Sequence, residues 1–130
     1  MTSQHRTRPL VLIVEDDAAL RQMYASTLTQ AEFDVIGAHN GLQAVEKARD
    51  LRPDIIITDL GLPGIDGYEL CRRMRQDPTL SHVPLVAITG RYLAQPDVAR
   101  AQLLGCSAVL IKPVADEALV SELRRVLEGS

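Results

Sequence analysis

The chain has 130 residues, of which 46% are hydrophobic and 24% are charged, and its formal net charge is −3. This length suits one domain with one core, and the composition is that of an ordinary globular protein. The small negative charge gives no indication of a general nucleic-acid binder, and no apolar run approaches membrane-spanning length. No secretory signal precedes the first apolar segment. The two cysteines, Cys71 and Cys106, are too few for a disulfide framework or a zinc site, and we expect reduced thiols in a cytoplasmic protein.

Five short apolar runs predict five β-strands, at residues 10–14, 33–38, 55–58, 85–88 and 108–111. Four of these runs are almost continuously aliphatic or β-branched, which is typical of strands with both faces buried in a parallel sheet. The second run contains Asp34 and Gly37 and is therefore predicted to be an edge strand.

Five amphipathic segments alternate with the strands and predict helices, because apolar residues recur in them at helical spacing. The apolar positions are Leu20, Met23, Tyr24, Thr27 and Leu28; then Ala44, Ala48 and Leu51; then Leu70 and Met74; then Val98, Ala101 and Leu104; and finally Leu119, Leu123, Val126 and Leu127. Asp116 is the predicted N-cap of the last helix. A strand followed by a helix, five times over, predicts a doubly wound α/β sheet with right-handed crossovers.

Polar residues follow four of the predicted strands. Because ligands of open parallel sheets bind beyond the carboxyl ends of the strands, we expect these side chains to converge on one site. They are Glu15, Asp16 and Asp17 after the first strand, Asp59 after the third, Thr89 after the fourth and Lys112 after the fifth.

Several acids near one point repel each other unless some are protonated or a cation joins them. Mg²⁺ suits such a group, because it takes one or two carboxylates, water and a phosphate oxygen as ligands. Asp16 or Asp17 could instead simply cap the first helix, and Asp17 is assigned mainly to that role or to solvent.

Asp59 is a candidate nucleophile, since a carboxylate can attack a phosphoryl group and form an aspartyl phosphate. Thr89 could then donate a hydrogen bond to one phosphoryl oxygen and Lys112 could pair with another. Taken singly, a threonine at a strand end is usually local structure, and a lysine there usually reaches solvent. Their shared position with the acids favours the functional interpretation.

The segments at residues 12–17, 53–59, 62–67, 86–90 and 112–113 together resemble those of the response-regulator receiver family, of the chemotaxis-regulator type, in two-component signalling. The resemblance covers almost the whole chain. It implies a flavodoxin-like five-stranded sheet of order 2-1-3-4-5 with five helices. Residues 9–130 would form the receiver domain, and residues 1–8 a flexible N-terminal tail.

The resemblance also implies roles for individual residues. Asp59 would be phosphorylated by a histidine kinase or a histidine phosphotransfer protein, and Thr89 and Lys112 would bind the phosphoryl group. Mg²⁺ would be held by Glu15, Asp16, Asp59 and the backbone carbonyl of Gly61. Gly61 and Arg91 would flank the path of an attacking water and set the lifetime of the phosphoryl group. The Lys112-Pro113 peptide bond is expected to be cis.

Two departures from the family pattern concern the output of the signal. Val109 stands where the family usually has a tyrosine or phenylalanine, and the loop after the fourth strand is about one residue longer than usual. Tyr92 in that loop is a candidate substitute for the missing ring. The switching surface is expected to be that of the fourth helix, fifth strand and fifth helix.

Three other functions are compatible with parts of this sequence pattern. An Asp-nucleophile phosphatase of the haloacid-dehalogenase type needs a second acid two residues after its nucleophile, where this chain has Gly61. A flavodoxin would place a phosphate against Glu15, Asp16 and Asp17, which would repel it. A receiver-fold interaction domain that works without phosphorylation remains the main alternative.

The expected partners are a kinase or phosphotransfer protein and an unidentified effector. No direct contact with nucleic acid or membrane is expected. The chain is expected to be a monomer or weak dimer. Beyond self-dephosphorylation, no enzymatic activity is expected. Arg72, Arg73 and Arg75 are interpreted as the solvated face of the third helix.

Overall fold

The computed structural model describes residues 7–62, 64–90 and 104–129 together with the single positions 99 and 102. Of the predicted N-terminal tail, residues 1–6 lie outside this range, while Thr7 and Arg8 are exposed. No helix among the described residues has the length and apolar character needed to cross a membrane.

Five parallel strands form one sheet in the order β2-β1-β3-β4-β5, as the family resemblance implied. They are β1 Leu10–Val14, β2 Asp34–Ala38, β3 Ile55–Asp59, β4 Leu85–Thr89 and β5 Ala108–Ile111. The prediction that β2 lies at an edge is confirmed. Phe33 was predicted to begin this strand but belongs to the turn after the first helix, because its amide donates to Leu28 O at 3.0 Å.

Four complete helices lie in the described residues: α1 Ala18–Gln30, α2 Gly41–Leu51, α3 Gly67–Gln76 and the C-terminal helix, here α4, Asp116–Glu128. The sequence predicted five. The additional helix, predicted from Val98, Ala101 and Leu104, falls mostly outside the described residues, within which Ala99 and Gln102 are helical and Leu104 lies in a turn.

The alternating residues of the strands face two separate cores. Leu12, Val14 and Ile56 pack on one side with apolar residues of α2 and α3. Val11, Ile13, Ile55 and Ile57 pack on the other side with residues of α1 and α4. Both faces of the sheet are thus covered, which explains why the central strands read as continuous apolar runs.

Side-chain capping begins three of the helices. Asp17 Oδ1 accepts from the Leu20 amide at 3.0 Å, Asn40 caps α2 and Asp66 caps α3 in the same way. Asp116 was predicted as the N-cap of α4, but it is the first residue of that helix and Ala115 is the cap. Asp116 therefore stabilises α4 through the helix dipole instead of through a capping hydrogen bond.

Two apolar helix residues were predicted to be buried and are exposed. Met23 of α1 is 63% exposed, because Tyr24 and Leu28 face the sheet and Met23 projects about 100° round the helix from Tyr24. Leu51 is 43% exposed and is the last residue of α2. Both errors arise because helical spacing alone does not distinguish residues on the buried face from residues at its edge or at the end of the helix.

Gly67, the first residue of α3, packs directly against the end of β3. A Cβ atom at this position would lie 2.6 Å from the Asp59 carbonyl oxygen and 2.7 Å from Leu60 Cα. Only glycine permits this close approach, so Gly67 fixes the distance between α3 and the strand that carries Asp59.

We expect Gly67→Ala to lower the free energy of unfolding by about 2 kcal/mol, because the added methyl group forces backbone apart. Gly90→Ala is the matched control, since a Cβ at Gly90 meets nothing within 4 Å. Urea denaturation of both variants measures the difference, and an equal stability of the two would contradict this account of Gly67.

Candidate functional site

The backbone hydrogen bonds of the sheet continue one residue beyond several strand ends. The amide of Glu15 donates to Ala38 O at 3.0 Å, and the amide of Lys112 donates to Thr89 O at 2.7 Å. Leu60, which follows Asp59, donates to Ile88 O at 3.0 Å. The backbones that carry the predicted site residues are therefore fixed by the sheet.

Lys112 lies between two carboxylates at the carboxyl end of the sheet. Its Nζ is 2.6 Å from Asp59 Oδ2 and 3.5 Å from Glu15 Oε1. The other oxygen of Asp59, Oδ1, accepts the Gly61 amide at 2.8 Å. Both oxygens of Asp59 thus have a donor, and residues far apart in the sequence meet as predicted.

Burial and charge shift the ionisation of this group. Burial raises the pKa of Glu15, and the nearby Asp59 raises it further, although the Asp17 amide and Lys112 act in the opposite direction. Burial alone would lower the pKa of Lys112, but its hydrogen bond to Asp59 and the charges of Asp59 and Glu15 outweigh burial and hold it above its ordinary value. Lys112 is therefore a cation at neutral pH.

Three carboxylates, those of Glu15, Asp16 and Asp59, each offer one oxygen within 4.8 Å of the others. Glu15 is buried, Asp59 is half-buried and Asp16 is exposed, so the group opens to solvent on the Asp16 side. When all three are ionised, the single Lys112 ammonium leaves an excess of negative charge. This set of hard oxygen donors fits Mg²⁺. Asp17 is outside the group and caps α1, as predicted.

Two threonines at the carboxyl end of the sheet are equally buried but differ in their hydrogen bonds. Thr58 Oγ1 donates to the Asp59 carbonyl at 3.1 Å. Thr89 Oγ1 is buried and has no hydrogen-bond partner among the described residues. An unpaired buried hydroxyl costs stability, so Thr89 keeps a free donor at the carboxyl end of β4 at an energetic cost.

Arg21 of α1 is a site residue that the sequence interpretation missed. Its Nη1 donates to the Glu15 carbonyl oxygen at 2.6 Å. Its side chain crosses Gly37, where a Cβ would lie 3.1 Å from Arg21 Cδ. The signal was present in the sequence, because a glycine inside a strand often marks a close approach by another group.

The remaining predicted site residues are partly described. Val109 lies in β5, is partly buried and packs against the core on the α2 and α3 side. Arg91 and Tyr92 lie outside the described residues. The Lys112-Pro113 peptide bond is cis, as predicted.

The sequence matches the response regulator receiver domain family over residues 11–124. The chain belongs to this family. Its members are signalling domains of two-component systems, for which phosphorylation and Mg²⁺ are typical. The match decides against the flavodoxin and phosphatase alternatives considered from sequence.

Curated relatives include the polar-differentiation response regulator DivK of Brucella anthropi, which is 30% identical over 117 residues, covering 90% of this chain and 94% of DivK. The transcriptional regulatory protein AfsQ1 of Streptomyces coelicolor is 36% identical over 119 residues, covering 92% of this chain and 51% of AfsQ1. The chain therefore spans nearly all of the first relative and about half of the second.

Solved receiver structures are similar over nearly the whole chain. Chemotaxis protein CheY4 of Vibrio cholerae has a TM-score of 0.86 at 29% identity, covering 92% of this chain and 99% of CheY4. The signal receiver domain of a histidine kinase from Syntrophus aciditrophicus also has a TM-score of 0.86, at 32% identity, covering 93% of this chain and 91% of that domain.

The two buried threonines allow a matched test. We expect Thr89→Val to raise the free energy of unfolding of the metal-free receiver domain by about 1 kcal/mol, because it removes an unpaired buried hydroxyl. Thr58→Val should lower it by about 1 kcal/mol, because the Asp59 carbonyl loses a donor. Urea denaturation measures both changes, and a loss of stability in Thr89→Val equal to that in Thr58→Val would show that the Thr89 hydroxyl is satisfied.

Proposed function

We propose that this receiver domain accepts a phosphoryl group on Asp59 in the presence of Mg²⁺. The observation that carries the proposal is the position of the Lys112 ammonium, 2.6 Å from Asp59 Oδ2, beside the oxygen cluster of Glu15, Asp16 and Asp59. A domain that acted only as a scaffold would have no use for three clustered carboxylates and a buried free hydroxyl at the carboxyl end of one sheet. Each of these groups has a part in phosphoryl transfer.

The reaction is a substitution at phosphorus. An oxygen of Asp59 attacks the phosphoryl group, the new oxygen–phosphorus bond forms, and the bond between phosphorus and the donor breaks. Lys112 then exchanges its contact with the carboxylate for a phosphoryl oxygen. The Thr89 hydroxyl donates to a second phosphoryl oxygen and gains the partner it otherwise lacks.

Glu15, Asp16, Asp59 and the Gly61 carbonyl are the proposed ligands of Mg²⁺. The bound ion neutralises the charge that develops on the phosphoryl oxygens during transfer. Asp16 is the exposed member of the group, so its carboxylate is the one that an entering cation meets first. Gly61 also holds Asp59 Oδ1 through its amide, and thus orients the nucleophile.

The proposed donor is a histidine kinase or a histidine phosphotransfer protein, and the downstream partner is open. A cytoplasmic location and a monomer or weak dimer fit this role. Gly61 and Arg91 are the proposed determinants of the phosphoryl lifetime. The alternative is a receiver-fold interaction domain that works without phosphorylation. Labelling with a small phosphoryl donor distinguishes this alternative from the proposed function.

Output is proposed to pass through β5 and the segment before it. Val109 is small and has few rotamers, so it cannot report phosphorylation by a large swing of its side chain. The movement of Thr89 toward a phosphoryl oxygen should instead displace the residues that follow it, including Tyr92. Ile111 of β5 is 57% exposed and offers an apolar contact at the surface.

Asp59→Asn should abolish labelling by acetyl phosphate or phosphoramidate in the presence of Mg²⁺, because the amide lacks the nucleophilic oxygen. Asp17→Asn is the matched control, since asparagine caps a helix as well as aspartate does and should be labelled at the wild-type rate. Intact mass measures the gain of one phosphoryl group. Full labelling of Asp59→Asn would reassign the acceptor, and an unlabelled wild-type domain would favour the interaction-domain alternative.

Mg²⁺ should stabilise the fold, by about 1.4 kcal/mol at ten times its dissociation constant, because it binds the native carboxylate group only. Asp16→Asn should reduce this gain sharply, whereas Asp17→Asn should retain it. Thermal unfolding over a series of Mg²⁺ concentrations measures the response. If Asp16→Asn responds as the wild type does, Asp16 is not a ligand.

Beryllofluoride, which mimics the phosphorylated state, should change amide exchange most in residues 90–104 and at Val109. These residues follow Thr89 in the chain or pair with its strand. Asp59→Asn treated in the same way is the control and should not respond. Changes centred on α1 and β2, with residues 90–104 silent, would overturn this route of output.

A further inference from the structure

The two cysteines of the chain meet on the side of the sheet that faces α2 and α3. Cys71 lies in α3 and is fully buried, and Cys106 lies just before β5 and is partly buried. Cys106 Sγ donates to Cys71 Sγ across 3.8 Å, although 35 residues separate them in the sequence. Both thiols are free. Neither is assigned to the phosphoryl site, and the proposed function uses neither.

Side chains of α3 hold the loop that carries Cys106. Cys71 Sγ donates to the Leu104 carbonyl at 2.9 Å, and Arg75 Nη2 donates to the Gly105 carbonyl at 3.0 Å. Arg75 Nη1 donates to the carbonyls of Ser81 and Val83, at 3.0 and 2.8 Å. Arg75 was predicted to lie on a solvated face, and that prediction is wrong. The two residues that precede Cys106 are thus bonded to α3 on the helix face that carries Cys71.

Gly105 permits this close contact. Its φ is +96°, a conformation that residues with a side chain rarely adopt, and a Cβ there would lie 2.7 Å from Arg75 Nε. The loop thus approaches α3 closely because Gly105 allows its backbone conformation and because Cys71 and Arg75 bond its carbonyl groups. This close approach explains the short separation of the two sulfurs.

We propose that Cys71 and Cys106 form an oxidation site, at which a peroxide converts the two thiols reversibly into a disulfide that joins α3 to the residue leading into β5. A disulfide requires the sulfurs to approach to about 2.05 Å. Starting from 3.8 Å, the sulfurs need to close less than 2 Å. Rotation of the partly buried Cys106 side chain is the simplest route.

The contact between the two sulfurs shifts their pKa values in opposite directions. The hydrogen bond from Cys106 lowers the pKa of Cys71 more than burial raises it, and Arg75 lowers it further. The pKa of Cys106 is raised by its contact with Cys71 and by burial. The pair therefore loses its first proton from Cys71. Because Cys71 is fully buried and Cys106 only partly buried, we assign the attack on peroxide to Cys106, which requires the shared proton to move to Cys71 against this preference.

The step balances with one peroxide molecule. The Cys106 thiolate attacks a peroxide oxygen, the oxygen–oxygen bond breaks, and a sulfenic acid and hydroxide form. Cys71 sulfur then attacks the Cys106 sulfur, the sulfur–sulfur bond forms, and the sulfenic oxygen leaves as water after taking up a proton. Two thiols and one peroxide give one disulfide and two waters. A dithiol reductant reverses the reaction by thiol–disulfide exchange.

The test uses the purified chain and hydrogen peroxide, followed by denaturation, N-ethylmaleimide and intact mass measurement. The reduced wild type should take up two maleimides. The oxidised wild type should take up none, should have lost the mass of two hydrogens, and should regain both reactive thiols after dithiothreitol. Because the chain has only two cysteines, an intrachain disulfide can join no other pair.

Cys106→Ser and Cys71→Ser are the matched controls, and neither should lose two hydrogens within one chain. Serine at position 71 can keep the hydrogen bond to the Leu104 carbonyl. The decisive measurement is made on the wild type, so it stands even if a variant folds poorly. A wild type that keeps both maleimide sites, gains only oxygen, or forms only disulfide-linked dimers would overturn the proposal.

Discussion

The Lys112 ammonium between Asp59 and Glu15 is the interaction on which the site depends. Without it, the carboxyl end of the sheet would hold three acids within 4.8 Å of each other, and the ion pairs of Asp59 and Glu15 with Lys112 would be lost. The sheet fixes the backbones of these residues through hydrogen bonds that continue past the strands. The carboxylates of Glu15 and Asp59 are held by Lys112 and by backbone amides. A phosphoryl group and a divalent cation would therefore act first by changing the partners of Lys112.

The site differs from the rest of the described fold because polar groups are buried there at a cost in stability. Elsewhere in the described chain, apolar residues fill both faces of the sheet, and three of the four described helices begin at capping side chains. At the site, Glu15 is buried with a raised pKa, and the Thr89 hydroxyl is buried without a partner among the described residues. Local inconsistencies of this kind reduce stability and are expected where function requires free donors and acceptors. In the proposed function, the Thr89 hydroxyl is satisfied only when a phosphoryl group is present.

The sequence predicted the strands well because buried parallel strands are short continuous apolar runs. It also placed the polar residues at the correct end of the sheet. The alternation of the strand residues further indicates which side of the sheet Glu15 and Asp59 face. Glu15 and Asp59 continue the alternation of Ile13 and Ile57, which face α1 and α4. The contacts of Gly61 and Arg75 could not be predicted, because an amide or guanidinium finds its carbonyl or carboxylate partner only after the chain has folded. For Arg21, Gly37 indicated a close approach but not which side chain makes it. Met23 and Leu51 were misjudged because helical spacing does not show where a stripe ends.

Strand β5 connects the proposed phosphoryl site with the thiol pair. It is an edge strand that pairs with β4, and its residues are less buried than those of the central strands. Cys106 precedes it and Lys112 follows it, so a change at either end acts on the same four residues. An edge strand with partly buried side chains can shift at lower cost than a central strand, because it breaks fewer packing contacts and the hydrogen bonds of one neighbour only. Val109 then need not turn to transmit a signal, since displacement of β5 as a unit would move Ile111 and the surface around it.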